Sequence, residues 1–575
     1  MYSKILKILI CFLLVFVLLA GVSAAQEWTV TSGKDVLANN TSLDELTLRQ
    51  AISRAASGDT IAFSSQVTEV NLMYGTLNIS KDLMIVGNYD QVSIKRDNSS
   101  ITQEMGIFNI TGGNVEFRNL IIENGYTSNS NGGAINVSNA TLTLETCIIQ
   151  RNRAVEGAGL YVTNSNVTMR STGIYRNTAS SEGSAIFVKN GSINMQNCVV
   201  DGNGEKGSTI TLSQGRLDAS NSRFNNNIVT SKGSVIYGAA GTAITLQHST
   251  FKNNSGFDSG GVYTLGQLTV SNCVFDEGKS EKSGAGITLG NGSTGDIRYS
   301  IFTNGSAKDD GGGIHVAVDS TATITSCTFA DNIANYGGAV FGRGNVTMDS
   351  CTAVNNTAKY YGGAIAVWNN AKFTLTKNII TGNKALSNNT VRDVGGGGLN
   401  ISNSEAWISN NIIVGNSDPR NVDFGQQNAT VMSGGQNLVG LYRGDRFPIN
   451  TTDVDGILPE NLFVWSYERP SLTRTTGYTA GYDNVQVYTV ELNSSRDNPA
   501  YNVLGITSEP PNPGPDQNGE DEQQNQTTPP PTEKPPTSSG IEALKKILII
   551  VAAICVLIIA GVLILRYKKK REYKF

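Results

Sequence analysis

The sequence predicts an all-β chain wound as a parallel solenoid. Three observations predict it: a Gly-rich element recurring about every 25 residues, a second marker on the same beat, and apolar–polar alternation inside each copy. The first beat is carried by the apolar residue that closes each Gly-rich element: Ile135, Leu160, Ile186, Ile210, Ile236, Val262, Ile287, Ile314, Val340, Ile365 and Leu399. Steps of 24 to 27 residues separate them until a last step of 34. The second marker is an apolar residue three before an Asn or Gly, as in Ile149/Asn152, Val200/Asn203, Phe224/Asn227, Phe329/Asn332 and Ile413/Asn416. A fixed period of this length is the signature of a repeat architecture.

Each copy is built from strands. "LTLETCII" (Leu142–Ile149), "LTVSNCVF" (Leu268–Phe275) and "VTMDSCTA" (Val346–Ala353) alternate with period two, which is the strand period. No ten-residue helical pattern fits between them. Short strands that stack on the preceding turn bury their apolar face only against neighbouring copies, which makes a solenoid. Gly-Gly-Ala corners, as in "NYGGAVFGRG" (Asn335–Gly344), let the backbone turn where a Cβ would clash. The Asn after each apolar marker is expected to stack in register, each amide bonding the next. Eleven marked coils at about 4.8 Å per step make a rod at least about 50 Å long.

The remaining segments follow in chain order. Residues 1–25 hold Lys4, Lys7, an apolar run Ile8–Leu19 and the small-residue stretch "GVSAA". They read as a secretory signal peptide cleaved near Ala25. Residues 26–110 are the N-terminal cap and first coils. There "LDELTLRQAISRAASGDTIAF" (Leu43–Phe63) reads as one amphipathic helix ended by Gly58, then a strand. The helix is expected to cover the open edge of the first coil, which otherwise invites strand addition. Residues 111–416 are the β-helix repeats, and 417–507, where the beat is lost, are the last coils and a C-terminal cap. Residues 508–540 form a Pro-rich, acidic linker that cannot pack a core. Fully extended, that linker reaches about 100 Å.

Residues 544–566 are expected to span a membrane, because Ile547–Leu565 is 19 residues without a charge. Arg566, Lys568, Lys569, Lys570 and Arg571 follow at once. The positive-inside bias then places the basic tail, 567–575, in the cytoplasm and the bulk of the chain outside the cell. The lipid bilayer is thus the first expected partner, and the cell membrane the expected location.

Composition narrows the function classes. The chain has 62 Gly, two His and a net charge of −4, too weak a charge to imply a nucleic-acid partner. Some twenty Asn-X-Ser/Thr sequons between Asn39 and Asn525 fit an exported, glycosylated surface. Five cysteines, Cys147, Cys198, Cys273, Cys327 and Cys351, share one repeat position, two before the apolar marker. Other copies place Thr172, Ser222, Ser249, Ser300, Asn378 or Asn411 there, so the column reads as a slot for one small side chain. No disulfide is expected. Cys327 and Cys351 are the only plausible pair, because only they are one coil apart.

Catalysis finds little support. Glycoside hydrolases need paired carboxylates in one groove, and lyases a basic group. His248 falls at a turn, and His315, between Ile314 and Val316, is expected to point outward. Asp309 and Asp310 precede a Gly corner and read as solvated turn acids, with Ca²⁺ binding as the alternative. No catalytic residue, metal or cofactor is expected. A polysaccharide lyase or glycoside hydrolase on the same fold remains the alternative to a non-enzymatic role.

One column suggests a binding face. The residue after each corner apolar is expected to face out, and five of these eleven are aromatic: Tyr161, Phe187, Tyr237, Tyr263 and Phe341. Such a stripe can stack on the sugar rings of an extracellular polysaccharide. The alternatives are a ladder of neighbours stabilising one another and a stripe covered by a loop.

The repeat Gly-Gly-Ala-[Ile/Leu/Val] paired with Phe-X-X-Asn resembles the signature of the chlamydial polymorphic outer-membrane proteins. "LTLRQAISRAASGDTIAF" and "GGQNLVG…TTDVDG" (Gly434–Gly456) resemble segments flanking such repeats in adhesin-like proteins. The resemblance spans roughly Asp44–Gly505. It implies a right-handed parallel β-helix on the cell surface, with adhesion, or an envelope structural role, as the usual function. No C-terminal β-barrel is expected here, a departure from those proteins. Its single apolar segment and basic tail look like those of a protein held in a cytoplasmic membrane.

Overall fold

A computed structural model describes residues 25–37, 45–99, 103–387, 395–444 and 450–456, and the backbone of strands Leu462–Arg469 and Val485–Leu492. The chain divides into two units, Met1–Glu509 and Pro510–Phe575. The second lies wholly outside the described residues. The expected signal peptide up to residue 24, the linker, the membrane span and the basic tail also fall outside them. Among the described residues no helix is long and apolar enough to cross a membrane.

The first unit is a parallel β-solenoid with three faces. One coil shows the pattern. Ile135–Ser138 and Thr141–Glu145 lie on a wide face, Ile148–Gln150 on a second and Arg153–Ala154 on a narrow third. The chain then passes a Gly-rich corner and returns to the wide face at Leu160. Among the described residues, fifteen strands stack on the second face, from Glu69–Leu72 to Leu438–Val439. At about 4.8 Å per step they make a rod of about 65–70 Å.

The register is the one the sequence beat dictates. Ile135, Leu160, Ile186, Ile210, Ile236, Val262, Ile287, Ile314, Val340, Ile365 and Leu399 pair rung on rung. On the second face the apolar markers converge on a phenyl stack. Phe224, Phe251, Phe275, Phe302 and Phe329 have ring centroids 4.5, 4.7, 4.8 and 5.0 Å apart. Offset stacking of this kind adds to the burial of each ring.

The amides form the ladder the repeat implied. Asn152 Nδ2 donates to Asn177 Oδ1 at 2.9 Å, and Asn177, Asn203 and Asn227 pass the bond on to Asn254. Gly278 and Gly305 interrupt the column. It resumes at Asn332 and runs through Asn356 and Asn383 to Asn416, whose amide donates to Asp423. A parallel ladder, Asn378–Asn411–Asn437, ends on Asp453. A carboxylate only accepts, so it is a natural terminus for a chain of donating amides.

The cysteine column is buried and its five thiols are free. Cys147, Cys198 and Cys351 each donate to a backbone carbonyl of the preceding coil. Burial pushes the thiols of Cys147 and Cys273 up to about 12 and that of Cys198 to about 11. Burial, and then the neighbouring Cys327, raise Cys351 as well.

The N-terminal helix is shorter than the sequence suggested, spanning Leu48–Arg54. Thr47 starts it, and Gln50 Oε1 reaches back to accept the Thr47 N–H, which is half of a capping box. Leu48, Ala51 and Ile52 are buried against the first coil, so the covering role is filled by two turns rather than by the whole stretch. Later in the chain, Leu462–Arg469 pairs antiparallel with Val485–Leu492.

Candidate functional site: the covered corner and its aromatic cluster

The corner between the narrow and wide faces has a fixed local geometry. At Gly337 φ is +59°, and a Cβ there would lie 2.2 Å from the Val340 carbonyl oxygen. At Gly338 a Cβ would lie 2.2 Å from the Gly363 carbonyl oxygen on the next coil. Only glycine fits that approach. The residue just before this tight turn sits above the outward column of the wide face. That position is Glu156, Glu182, Lys206, Lys232, Asp258, Ser283, Asp310, Tyr336 and Tyr361 in nine successive coils.

This overhang corrects the simple outward stripe. Glu182 Oε2 accepts the Thr211 hydroxyl at 2.8 Å, and the Thr288 hydroxyl donates to the Ser283 carbonyl at 2.8 Å. Phe341 is fully buried and Phe187 is 8% exposed. As placed, neither presents a ring to a ligand. Tyr161, Tyr237 and Tyr263 are half-buried. The rings pair rather than run continuously: Tyr161 on Phe187 at 5.4 Å, Tyr237 on Tyr263 at 5.8 Å. Thr211 separates the two pairs, and Thr288 and His315 separate the second pair from Phe341.

Phe341 is buried because a second set of aromatics lies over it. Tyr336 packs 6.3 Å from Phe341, 4.9 Å from Tyr360, 6.1 Å from Tyr361 and 4.5 Å from Trp368. Trp368 meets Phe341 edge-on at 6.0 Å. Tyr336, Tyr360, Tyr361 and Trp368 are all half-buried, so each keeps part of its surface toward solvent. They come from three adjacent coils, where the "YGGA" repeat places a tyrosine before the corner twice.

Polar groups border the cluster. Arg343 Nη2 lies 3.8 Å from Asp310 Oδ2, and its guanidinium sits 5.4 Å from the Phe341 ring centroid. Burial raises the Asp310 carboxyl to about 6, with Asp309 adding to the rise and Arg343 opposing it. Asp310 is therefore not the solvated turn acid expected. His315 also departs from expectation. Its two ring nitrogens are buried with no hydrogen-bond partner among the described residues, and its ring packs 5.6 Å from Phe341. Burial, and then Arg343, hold it down to about 4.

Sequence reasoning missed Tyr336, Tyr360, Tyr361 and Trp368. The available signal was the repeated Tyr before Gly-Gly, which breaks a column otherwise filled by Glu, Lys, Asp and Ser.

Residues 64–224 and 234–386, more than half of the chain, match the family model described as a right handed beta helix region. The chain belongs to the right-handed β-helix family. A comparison with curated proteins returns no match. Among solved structures, the catalytic unit of a thermostable GH87 α-1,3-glucanase from Streptomyces thermodiastaticus strain HF3-3 aligns at 14% identity and TM-score 0.34. The alignment covers 69% of this chain and 66% of that unit, so the chain spans just under two thirds of its length. Pectate lyase Pel9A aligns at 13% identity and TM-score 0.23, over 75% of this chain and 82% of its own. Tailspike protein 3 of Bacteriophage CBA120 aligns at 11% and 0.28, over 69% and 58%. At these values the likenesses carry no argument about activity.

Proposed function

We propose that this right-handed β-helix is a membrane-anchored surface rod that binds extracellular glycans in an adhesin-like role. The observation that carries the reading is the cluster of four half-buried aromatics, Tyr336, Tyr360, Tyr361 and Trp368, with Asp310 and Arg343 nearby. Flat rings with polar groups at their margin suit a sugar, which offers an apolar ring face and a polar edge. The resemblance of the repeats to chlamydial surface proteins supports the same reading. The apolar segment at 547–565 and its basic flank support the anchoring. An antibody to Arg571–Phe575 is expected to stain cells only after permeabilisation; staining of intact cells contradicts the orientation.

One observation favours a second reading. Asp310, raised to about 6, has the character of a general acid near neutral pH. A polysaccharide hydrolase or lyase working at this corner would need it. A glycan array read for binding, with a reducing-sugar and unsaturated-product assay on each bound glycan, separates the two. Retention without product supports the adhesin; product formation lost in Asp310→Asn supports the enzyme.

A further inference from the structure

A cleft opens on a different edge of the rod, at the corner between the wide and second faces. Its volume is about 360 Å³, within the range of about 300–1,000 Å³ usual for small-molecule sites. Tyr175 and Gly173 lie in its lining. Ile148, Gly173, Val199 and Arg223 are register partners on the outer surface of the second face. The missing side chain at Gly173 leaves room between two β-branched neighbours, and the Tyr175 ring takes it. A Cβ at Gly173 would lie 2.1 Å from that ring. The cleft thus has an aromatic floor.

Its other wall is an anchored loop. Asn88 Nδ2 donates to the carbonyls of Ser64 and Val67 at 3.1 and 3.0 Å, and Gln91 Nε2 donates to the Thr146 carbonyl at 2.8 Å. Between these anchors Tyr89 is held 98% exposed. A loop pinned on both sides that keeps a phenol ring in water gains nothing from that ring within the chain. The rim is polar. Thr146, Ser171, Asn197 and Asn221 occupy the left-handed corner position of four successive coils and border the cleft. They repeat at about 4.8 Å, close to the length of one pyranose unit in an extended chain. The two charged side chains of the lining, Asp90 and Arg223, are of opposite sign.

We infer that this cleft binds a short, extended, neutral oligosaccharide lying along the rod axis, with Tyr175 and Tyr89 as its stacking surfaces. The inference stands apart from the Tyr336–Trp368 cluster. That cluster lies on another edge, about six coils farther along. Two sites on different edges would let one rod hold two glycan chains.

Titration calorimetry of the full-length protein in detergent tests this, with neutral hexose hexasaccharides and hexuronate hexasaccharides as the probes. Gly173→Val puts a side chain where the Tyr175 ring lies and so displaces that ring from the cleft floor, on a backbone that is not left-handed. Tyr89→Ala removes a ring that supports nothing in the fold. Each variant is expected to weaken binding of a neutral hexasaccharide ten-fold or more, while Trp368→Ala leaves this component of binding in place. Equal affinity for wild type and both cleft variants overturns the inference, as does binding of hexuronates only, or of neither probe. Binding lost in Trp368→Ala alone overturns the cleft and leaves the cluster standing. Binding lost in the cleft variants alone supports the cleft and removes the cluster. If Gly173→Val lowers the melting temperature, Tyr89→Ala carries the decision.

Discussion

The interior columns and the covered corner of this rod are built from the same repeat, yet they obey it differently. Inside, each position holds one kind of chemistry for many coils: phenyl on phenyl from Phe224 to Phe329, amide on amide from Asn332 to Asn416. At the corner above the wide face, the same position changes from Glu182 to Asp258, Asp310, Tyr336 and Tyr361. An interior residue must match the rung above and below, because a mismatch leaves a void or an unpaired polar group. A corner residue keeps one side toward solvent, so its chemistry varies more freely from coil to coil. In a solenoid, departures from the beat on the outer edge are where a ligand-binding role can be written without cost to the fold.

That contrast is open to graded tests. The largest effect is expected inside the phenyl stack. Phe302→Ala removes a buried ring between two stacked neighbours and should cost about 3–5 kcal/mol, read as a loss in chemical-denaturation stability. A cost below about 1 kcal/mol would mean the stack is not a continuous core. Next comes the amide ladder. Asn356 accepts from both the backbone N–H and the side chain of Asn332 and donates to the Phe329 carbonyl. Asn356→Ala should cost about 2–4 kcal/mol, since several buried groups lose partners. Hydrogen exchange should show the loss centred on that coil and its neighbours, because contacts in a solenoid are nearest-neighbour.

At the corner the expected effect is smaller and depends on pH. Asp310 rises from 3.8 to about 6 on folding, so the native state holds its proton longer than the unfolded chain. Stability from this group is present below about pH 4 and is lost as pH rises through 6. Asp310→Asn should therefore melt above wild type at pH 7.5 and level with it near pH 4. The reverse order contradicts the burial account. His315, held down to about 4, acts oppositely, losing stability as pH falls from 6.5. The smallest effect is expected in the cysteine column. Cys198→Ser places in that slot the side chain found one coil away at Ser222 and should change stability by less than about 1 kcal/mol. Alkylation should label the buried thiols only after unfolding.

Much of the fold was legible in the sequence. The corner apolars fixed the pairing, as Val340 opposite Ile365 shows. The Asn column predicts a side-chain ladder, because a 25-residue period forces like residues onto adjacent rungs. Helix length was less legible: Thr47 is an N-cap signal inside an otherwise helical-looking run, and it starts the helix later than the apolar spacing suggests. The candidate site was read only in part. Alternation correctly puts Phe341 on the outer side of its strand. It cannot show that Tyr336, five residues earlier and across a corner, closes over that ring from the neighbouring face. Nor does it show that Asp310 and His315 become buried there.

The most direct test of the account compares Tyr336→Ser/Trp368→Ala with the wild type, measuring glycan retention and melting temperature on the same full-length preparations. The account predicts that the double variant loses most of the retention at that site and melts within a few degrees of the wild type. A double variant that melts far lower, yet retains glycan normally per folded molecule, would contradict it and make the aromatic cluster a structural cover for Phe341.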